Sequence, residues 1–190
     1  MIIFARDVLK DNPGAPIITE VKASRVFFDE VTRAGGVPVM WATGHSLIKI
    51  KMSELNSPLA GEMSGHIFFA DKYFGYDDAI YAVIRLLTIL SHSKKSLTEL
   101  YDGLPKMLNT PELRIDCSEK RKFDVIKEIK NRLSSEVDIT VSDIDGVRVE
   151  TKEGWWLIRA SNTQAVLVVR CESTSKRGLS FLKKQIRNQL

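Results

Sequence analysis

The sequence predicts an α/β fold in two parts: a mixed, mostly parallel α/β sheet domain over residues 1–104, then a small α+β domain with an antiparallel sheet over residues 105–190. Three observations carry that expectation. Over residues 1–100, apolar positions fall alternately at helical spacing and in short continuous runs, as in a parallel sheet whose strands are joined by helices. Between Tyr101 and Pro111 the chain turns to Asp102-Gly103-Leu104-Pro105 and Thr110-Pro111, residues that suit a boundary between domains. Beyond that boundary, alternation of apolar and polar residues marks strands with one buried face.

The opening residues to about Asn12 form an amphipathic stretch, and Pro16-Ile17-Ile18-Thr19-Glu20-Val21-Lys22 reads as a buried strand. A helix follows from Ser24, with Phe27, Val31 and Ala34 on one face, until Gly35-Gly36 stops it before the strand Val37-Pro38-Val39-Met40-Trp41. Thr43-Gly44-His45-Ser46 opens a further helix in which Ile48, Met52 and Leu55 share a face. Ser57-Pro58 ends it ahead of a short strand into Gly61, and His66-Ile67-Phe68-Phe69 continues the sheet. From Tyr76 to about Leu90, Ile80, Val83, Ile84 and Leu87 line one stripe of a long amphipathic helix. In the second part, the order is strand, charged helix with Ile126, Ile129 and Leu133 inward, four strands including Val147 to Lys152, and a terminal helix with Leu179, Leu182 and Ile186 inward.

At 190 residues and 44% hydrophobic content, the chain can bury a substantial core. No run approaches the roughly 18 apolar residues of a membrane span, and Arg6 and Asp7 interrupt the start before a signal-peptide core can form. Cys117 and Cys171 have no metal-ligand spacing, which points to a reducing, cytoplasmic setting. The net charge is +4, and the last sixteen residues carry Lys176, Arg177, Lys183, Lys184 and Arg187 with no acid. A solvated helix face explains that pattern, and no aromatic platform accompanies it, so no nucleic-acid partner is expected.

Two loops carry recognisable chemistry. Arg159-Ala160-Ser161-Asn162-Thr163 lies between strand-like runs and offers a bidentate donor, hydroxyls and backbone N–H groups, the set a phosphate dianion requires. An ordinary polar hairpin fits the same five residues. Gly61-Glu62-Met63-Ser64-Gly65-His66 offers a carboxylate, a hydroxyl and an imidazole between glycines that permit close approach, a mixture suited to vicinal sugar hydroxyls. A tight turn with a solvated Glu62 fits there too. His45, at a helix start, and Lys22, at a strand end, stand where anions collect in α/β sheets.

Taken in order, Thr43-Gly44-His45-Ser46, the Gly61–His66 loop, Asp145-Gly146-Val147-Arg148-Val149 and the Arg159–Thr163 loop resemble the signature loops of the α-D-phosphohexomutases, in particular the bacterial phosphomannomutase/phosphoglucomutase branch. The resemblance covers nearly the whole chain and matches the third and fourth of the family's four domains, a C-terminal half. It implies that Glu62 and Ser64 contact sugar hydroxyls. It likewise implies that Arg159, Ser161, Asn162 and Thr163 clamp the non-reacting phosphate while phosphate moves between the 1- and 6-positions of a glucose or mannose phosphate. His45, His66 and Lys22 match positions lining the reaction cleft as acid/base or phosphate contacts.

The family's phosphoserine belongs to its first domain and its Asp-rich magnesium loop to its second. The resemblance therefore places magnesium outside this chain, assigns no metal ligand within it, makes the missing N-terminal half its partner, and predicts that the chain alone is inactive. The alternative is a stand-alone sugar-phosphate binding module. Ser91-His92-Ser93 reads as a helix C-terminus and Asp143-Ile144-Asp145-Gly146 as a hairpin turn, despite passing likeness to the phosphoserine and metal loops. Gln164-Ala165 departs from the family's usual Glu or Thr followed by Pro, which predicts a looser end to the phosphate loop.

Overall fold

In the computed structural model, which describes residues 1–190, the chain divides into two units, Met1–Pro105 and Lys106–Leu190. The first runs α1 (Ile2–Asp11), β1 (Pro16–Glu20), α2 (Arg25–Arg33), β2 (Val37–Trp41), α3 (His45–Leu55), β3 (Leu59–Gly61), β4 (Ile67–Phe69), α4 (Ala79–Ser91) and α5 (Leu97–Asp102). Its sheet has the order β2-β1-β3-β4. Strand β1 lies parallel to β2 and β3, and β4 returns antiparallel to β3.

Successive residues of β1 point to opposite faces, so helices cover both sides of the sheet. Ile17 joins Phe4, Val8, Phe27, Val31, Leu59 and Phe69 on the side of α1 and α2, whereas Ile18 joins Ile48, Met52, Ala60 and Phe68 on the side of α3. The Ser24 hydroxyl caps α2 by accepting the Val26 N–H at 3.2 Å, which fixes where the crossover begins.

Strand β1 ends at Glu20, leaving Val21 and Lys22 in the turn beyond it. Two expectations about helix faces are corrected. Leu55, placed with Ile48 and Met52, is exposed in the last turn of α3. The stripe of α4 also faces outward: Ile80, Val83, Ile84 and Leu87 are 76%, 55%, 54% and 59% exposed. The side toward the sheet is instead carried by Ala82, with Tyr81, Leu86 and Ile89 partly buried against the same cluster. Arg85 is buried there over the Phe69 ring at 4.6 Å, and it bonds Asp71 at 2.7 Å. Helix α4 thus has apolar residues all round, and periodicity marked the helix without identifying the side that meets this sheet.

The second unit runs β5 (Leu108–Asn109), β6 (Leu113–Asp116), α6 (Glu119–Leu133), β7 (Thr140–Ser142), β8 (Val147–Thr151), β9 (Gly154–Ala160), β10 (Val166–Ser173) and α7 (Lys176–Gln189). All pairings are antiparallel. The strand order is β5-β10-β9-β8-β7, and β6 also pairs with β10, so two short strands share one edge. Ile126, Ile129 and Leu133 of α6 and Leu182 and Ile186 of α7 pack with Val147, Val149, Trp156, Ile158 and Val169. Part of the turn-rich segment is ordered: α5 takes up Tyr101 and Asp102, and β5 pairs with β10. No helix is long and apolar enough to cross a membrane.

Candidate functional site

In the first unit, the candidate residues gather at the ends of β1 and β3, around a carboxylate that the sequence reading passed over. Glu20 is fully buried. It accepts the Lys22 N–H at 2.6 Å, the Met63 N–H at 3.1 Å and the Thr43 hydroxyl at 3.4 Å. One side chain thereby joins the turn after β1, the turn before α3 and the Gly61–His66 loop. Burial pushes its carboxyl above the ordinary range, against the opposing pull of the Lys22 charge and the two N–H donors. Lys22 is itself buried. The available signal was a lone acid in the strand-like run Ile17-Ile18-Thr19-Glu20-Val21.

Glu62 is buried at the exit of β3, where its Oε1 accepts the Gly44 N–H at 2.8 Å and its Oε2 accepts the Ser64 hydroxyl at 3.3 Å. Gly44, the residue before α3, adopts φ +138°, a conformation that L side chains rarely take. The loop closes through Glu62 N–H to His66 O at 2.9 Å and Gly65 N–H to Glu62 O at 3.0 Å. Each Glu62 oxygen retains a lone pair after these bonds, so the carboxylate can still accept ligand hydroxyls. Ser64 is exposed beside it.

His45, at the start of α3, and His66, before β4, meet edge to face with ring centroids 4.1 Å apart. Asp77, a second residue missed in the sequence, stands against both. Its Oδ2 lies 2.7 Å from His66 Nδ1 and 3.7 Å from His45 Nε2, while its Oδ1 accepts the Ile67 N–H at 3.3 Å. Asp77 comes into place because it bridges to Phe68 of β4, a pairing that spacing along the chain does not reveal.

In the second unit, Arg159 and Ala160 belong to β9 rather than to the loop, which begins at Ser161. Arg159 is 4% exposed. Its Nε donates to Asp145 Oδ2 at 2.9 Å, and its buried Nη2 has no hydrogen-bond partner. A buried unpartnered guanidinium nitrogen is costly, and Arg170 Nε shares that state. Asp145 and Gly146 form the turn before β8, where Gly146 has φ +83°. A Cβ there would come within 2.6 Å of Arg159 Cα, so this turn sets the backbone position of Arg159. The Asp143–Gly146 segment is a hairpin turn as expected, with Asp143 ion-paired to Lys130 at 3.2 Å and Asp145 to Arg159.

Ser161 is buried, while Asn162 and Thr163 are exposed at the tip. The Thr163 N–H donates to the Ser161 hydroxyl at 3.4 Å, and the Ser161 N–H to Val166 O at 3.0 Å. Below the loop sits Lys122 of α6, 1% exposed, whose Nζ donates to the carbonyls of Ser161 at 2.7 Å and Gln164 at 3.1 Å. Gln164 also accepts from Arg114 Nη1 at 3.0 Å. The end of the loop is therefore tied to Lys122 and to Arg114 through Gln164.

These features define a protein class by fold: an α/β unit with a carboxylate-bearing loop at the end of β3, and an antiparallel α+β unit with a buried arginine at the end of β9. Comparison with known proteins is specific. The profile described as "Phosphoglucomutase/phosphomannomutase, alpha/beta/alpha domain III" matches residues 1–108, and "Phosphoglucomutase/phosphomannomutase, C-terminal domain" matches residues 112–189. The chain belongs to the phosphoglucomutase/phosphomannomutase family and corresponds to its third and C-terminal domains.

Among its relatives, a phosphomannomutase/phosphoglucomutase of Pseudomonas aeruginosa is 45% identical over 190 residues, covering 100% of this chain and 41% of the relative. The crystal structure of a family protein from Burkholderia thailandensis superposes with a TM-score of 0.91 at 42% identity, over 100% of this chain and 40% of that one. A likeness in fold alone, at 13% identity and TM-score 0.67, extends to an Aspergillus fumigatus N-acetylphosphoglucosamine mutase solved with GlcNAc-6P and magnesium; it covers 99% of this chain and 44% of that one. The chain thus spans 41% of the length of the Pseudomonas relative.

Proposed function

We propose that these two units are the recognition half of a hexose-phosphate mutase. Glu62 and Ser64 bind ring hydroxyls of a glucose or mannose phosphate. Arg159, Ser161, Asn162 and Thr163 hold the phosphate that is not reacting while the other phosphate is transferred between the 1- and 6-positions. His45, His66 and Lys22 serve the transferring group as phosphate or proton contacts.

The observation that carries this reading is the buried Nη2 of Arg159, left unpartnered beside the Ser161–Thr163 turn, in a chain of a sugar-phosphate mutase family. The exposed stripe of α4 supports a partner as well. Four large aliphatic residues exposed on one helix face are a feature of the kind that marks an interaction surface. Its fitting occupant is the additional polypeptide that the longer relatives carry.

Magnesium belongs to the complete enzyme in this reading and is bound outside this chain. Asp143 and Asp145 are engaged by Lys130 and Arg159, and the other cluster of ligand-type groups contains two imidazoles, whereas Mg²⁺ takes oxygen ligands. The test is calorimetric titration of the purified chain with glucose 6-phosphate and mannose 6-phosphate in the presence of a chelator. Binding at millimolar ligand that disappears in Arg159→Ala is expected. Binding that is unchanged in that variant would overturn the phosphate-clamp assignment, and no binding by the wild-type chain would remove the stand-alone module.

A further inference from the structure

We infer that His45, His66 and Asp77 form a binding site for a borderline-soft divalent cation of the Zn²⁺ type, set beside the Gly61–His66 loop. One ligand atom from each lies within 4.8 Å of the other two. These residues come from the first turn of α3, the approach to β4 and the segment before α4. Their convergence is a product of the fold and not of spacing along one helix.

Two of the three separations are close to those of a small metal ion, and the two imidazole nitrogens lie within 4.8 Å of one another. Zn²⁺ bonds imidazole nitrogen and carboxylate oxygen at about 2.0–2.2 Å, which puts tetrahedral ligand atoms roughly 3.3 Å apart. His66 Nδ1 and Asp77 Oδ2, now 2.7 Å apart across a hydrogen bond, need to separate slightly, and His45 Nε2, 3.7 Å from the same oxygen, needs to close slightly. The side chains of both histidines are close to half exposed, at 45% and 43%, so small rotations cost little packing. Coordination at His66 Nδ1 leaves its ring proton on Nε2, and the ring stays neutral. Water completes the shell at the exposed side.

The supporting contacts are those a metal site uses. Ile67 N–H holds Asp77 Oδ1 and leaves Oδ2 for the ion. Phe68, paired in backbone with Asp77, also sets its ring edge to face against His45 at 5.4 Å. Partners of this kind orient ligands before the ion arrives. Two nitrogens and one carboxylate select Zn²⁺, Co²⁺, Ni²⁺ or Cu²⁺ over Mg²⁺ and Ca²⁺, which prefer oxygen. The N-terminal end of α3 opposes a cation at His45, but the Glu62 carboxylate already faces that end through the Gly44 N–H. A bound ion would tie up His45 and His66. On the reading proposed above, it would therefore compete with the sugar phosphate, making this a point of inhibition by trace metal.

The test is titration of the full chain with Zn²⁺, and with Co²⁺ as a spectroscopic stand-in, in non-chelating buffer without sugar phosphate. One ion per chain is expected, with a Co²⁺ spectrum lacking thiolate charge transfer. Asp77→Asn and His66→Gln should each weaken affinity by about tenfold or more, and Cys117→Ser should leave it unchanged. Thermal unfolding of each variant reports whether it has folded. Affinity that is unchanged in folded Asp77→Asn and His66→Gln, or that is lost in Cys117→Ser, would overturn the site. Because metal binding is read without sugar and sugar binding is read in chelator, either proposal can fail while the other stands.

Discussion

At the scale of single residues, buried charges do most to hold the loops. Glu20 ties together three segments while its carboxyl sits above the ordinary value of 4.5. Between 4.5 and that raised value, the folded chain binds more protons at this position than the unfolded chain does, so this contribution to stability falls as pH rises through the window. Glu20→Gln removes the titrating group. The difference in unfolding midpoint, variant minus wild type, should therefore become more positive from pH 4.5 upward; a flat difference would contradict the assigned burial effect. Lys122 makes a different case. Replacing it with methionine keeps the aliphatic stem but leaves the Ser161 and Gln164 carbonyls without their Nζ donor. Denaturant unfolding should show a loss of about 1–3 kcal/mol, and sugar-phosphate binding should weaken with it. Neither residue stood out in the sequence, because a lone acid in a strand and a lysine in a charged helix look alike whether buried or solvated.

At the scale of elements, helix α4 shows what periodicity can and cannot establish. Its apolar repeat located a helix close to its observed limits, yet the repeat Ile80, Val83, Ile84 and Leu87 is exposed and Tyr81, Ala82, Leu86 and Ile89 turn toward the sheet. A polar double variant on the outer stripe, Ile84→Lys with Leu87→Lys, tests the assignment. Stability of this chain should change by no more than about 0.5 kcal/mol for each substitution, as for exposed positions generally; a loss of several kcal/mol would mean that the stripe is packed after all. Other elements were more legible. Gly35-Gly36 ends α2 where expected, β2 occupies Val37–Trp41, and Ile126, Ile129 and Leu133 of α6 are buried as their helical spacing predicted, with Lys122 added to them, because the apolar residues of α2 and α6 lie in one stripe that has one way to be buried.

At the scale of the whole molecule, the chain covers 41% of a full-length relative, and the proposal above gives it the recognition half of the reaction. Purified on its own, it should show no interconversion of glucose 1-phosphate and glucose 6-phosphate in a coupled assay. Mixing with the complementary N-terminal portion of a relative should restore turnover, and restoration should fail with the α4 double variant. Turnover by the isolated chain would reject this division of labour. The sequence by itself determined the family, the α/β and antiparallel α+β character of the two units, and the two loops, since glycine turns, polar clusters and apolar periods are local features that a linear reading can register. Only the tertiary structure decided that Arg159 sits in a strand with one nitrogen unpartnered, that Glu20 and Lys122 brace the loops, that Asp77 completes a cluster with His45 and His66, and which face of α4 is covered. Burial and hydrogen bonding between segments distant in sequence depend on how strands pair, and that pairing exists only once the chain has folded.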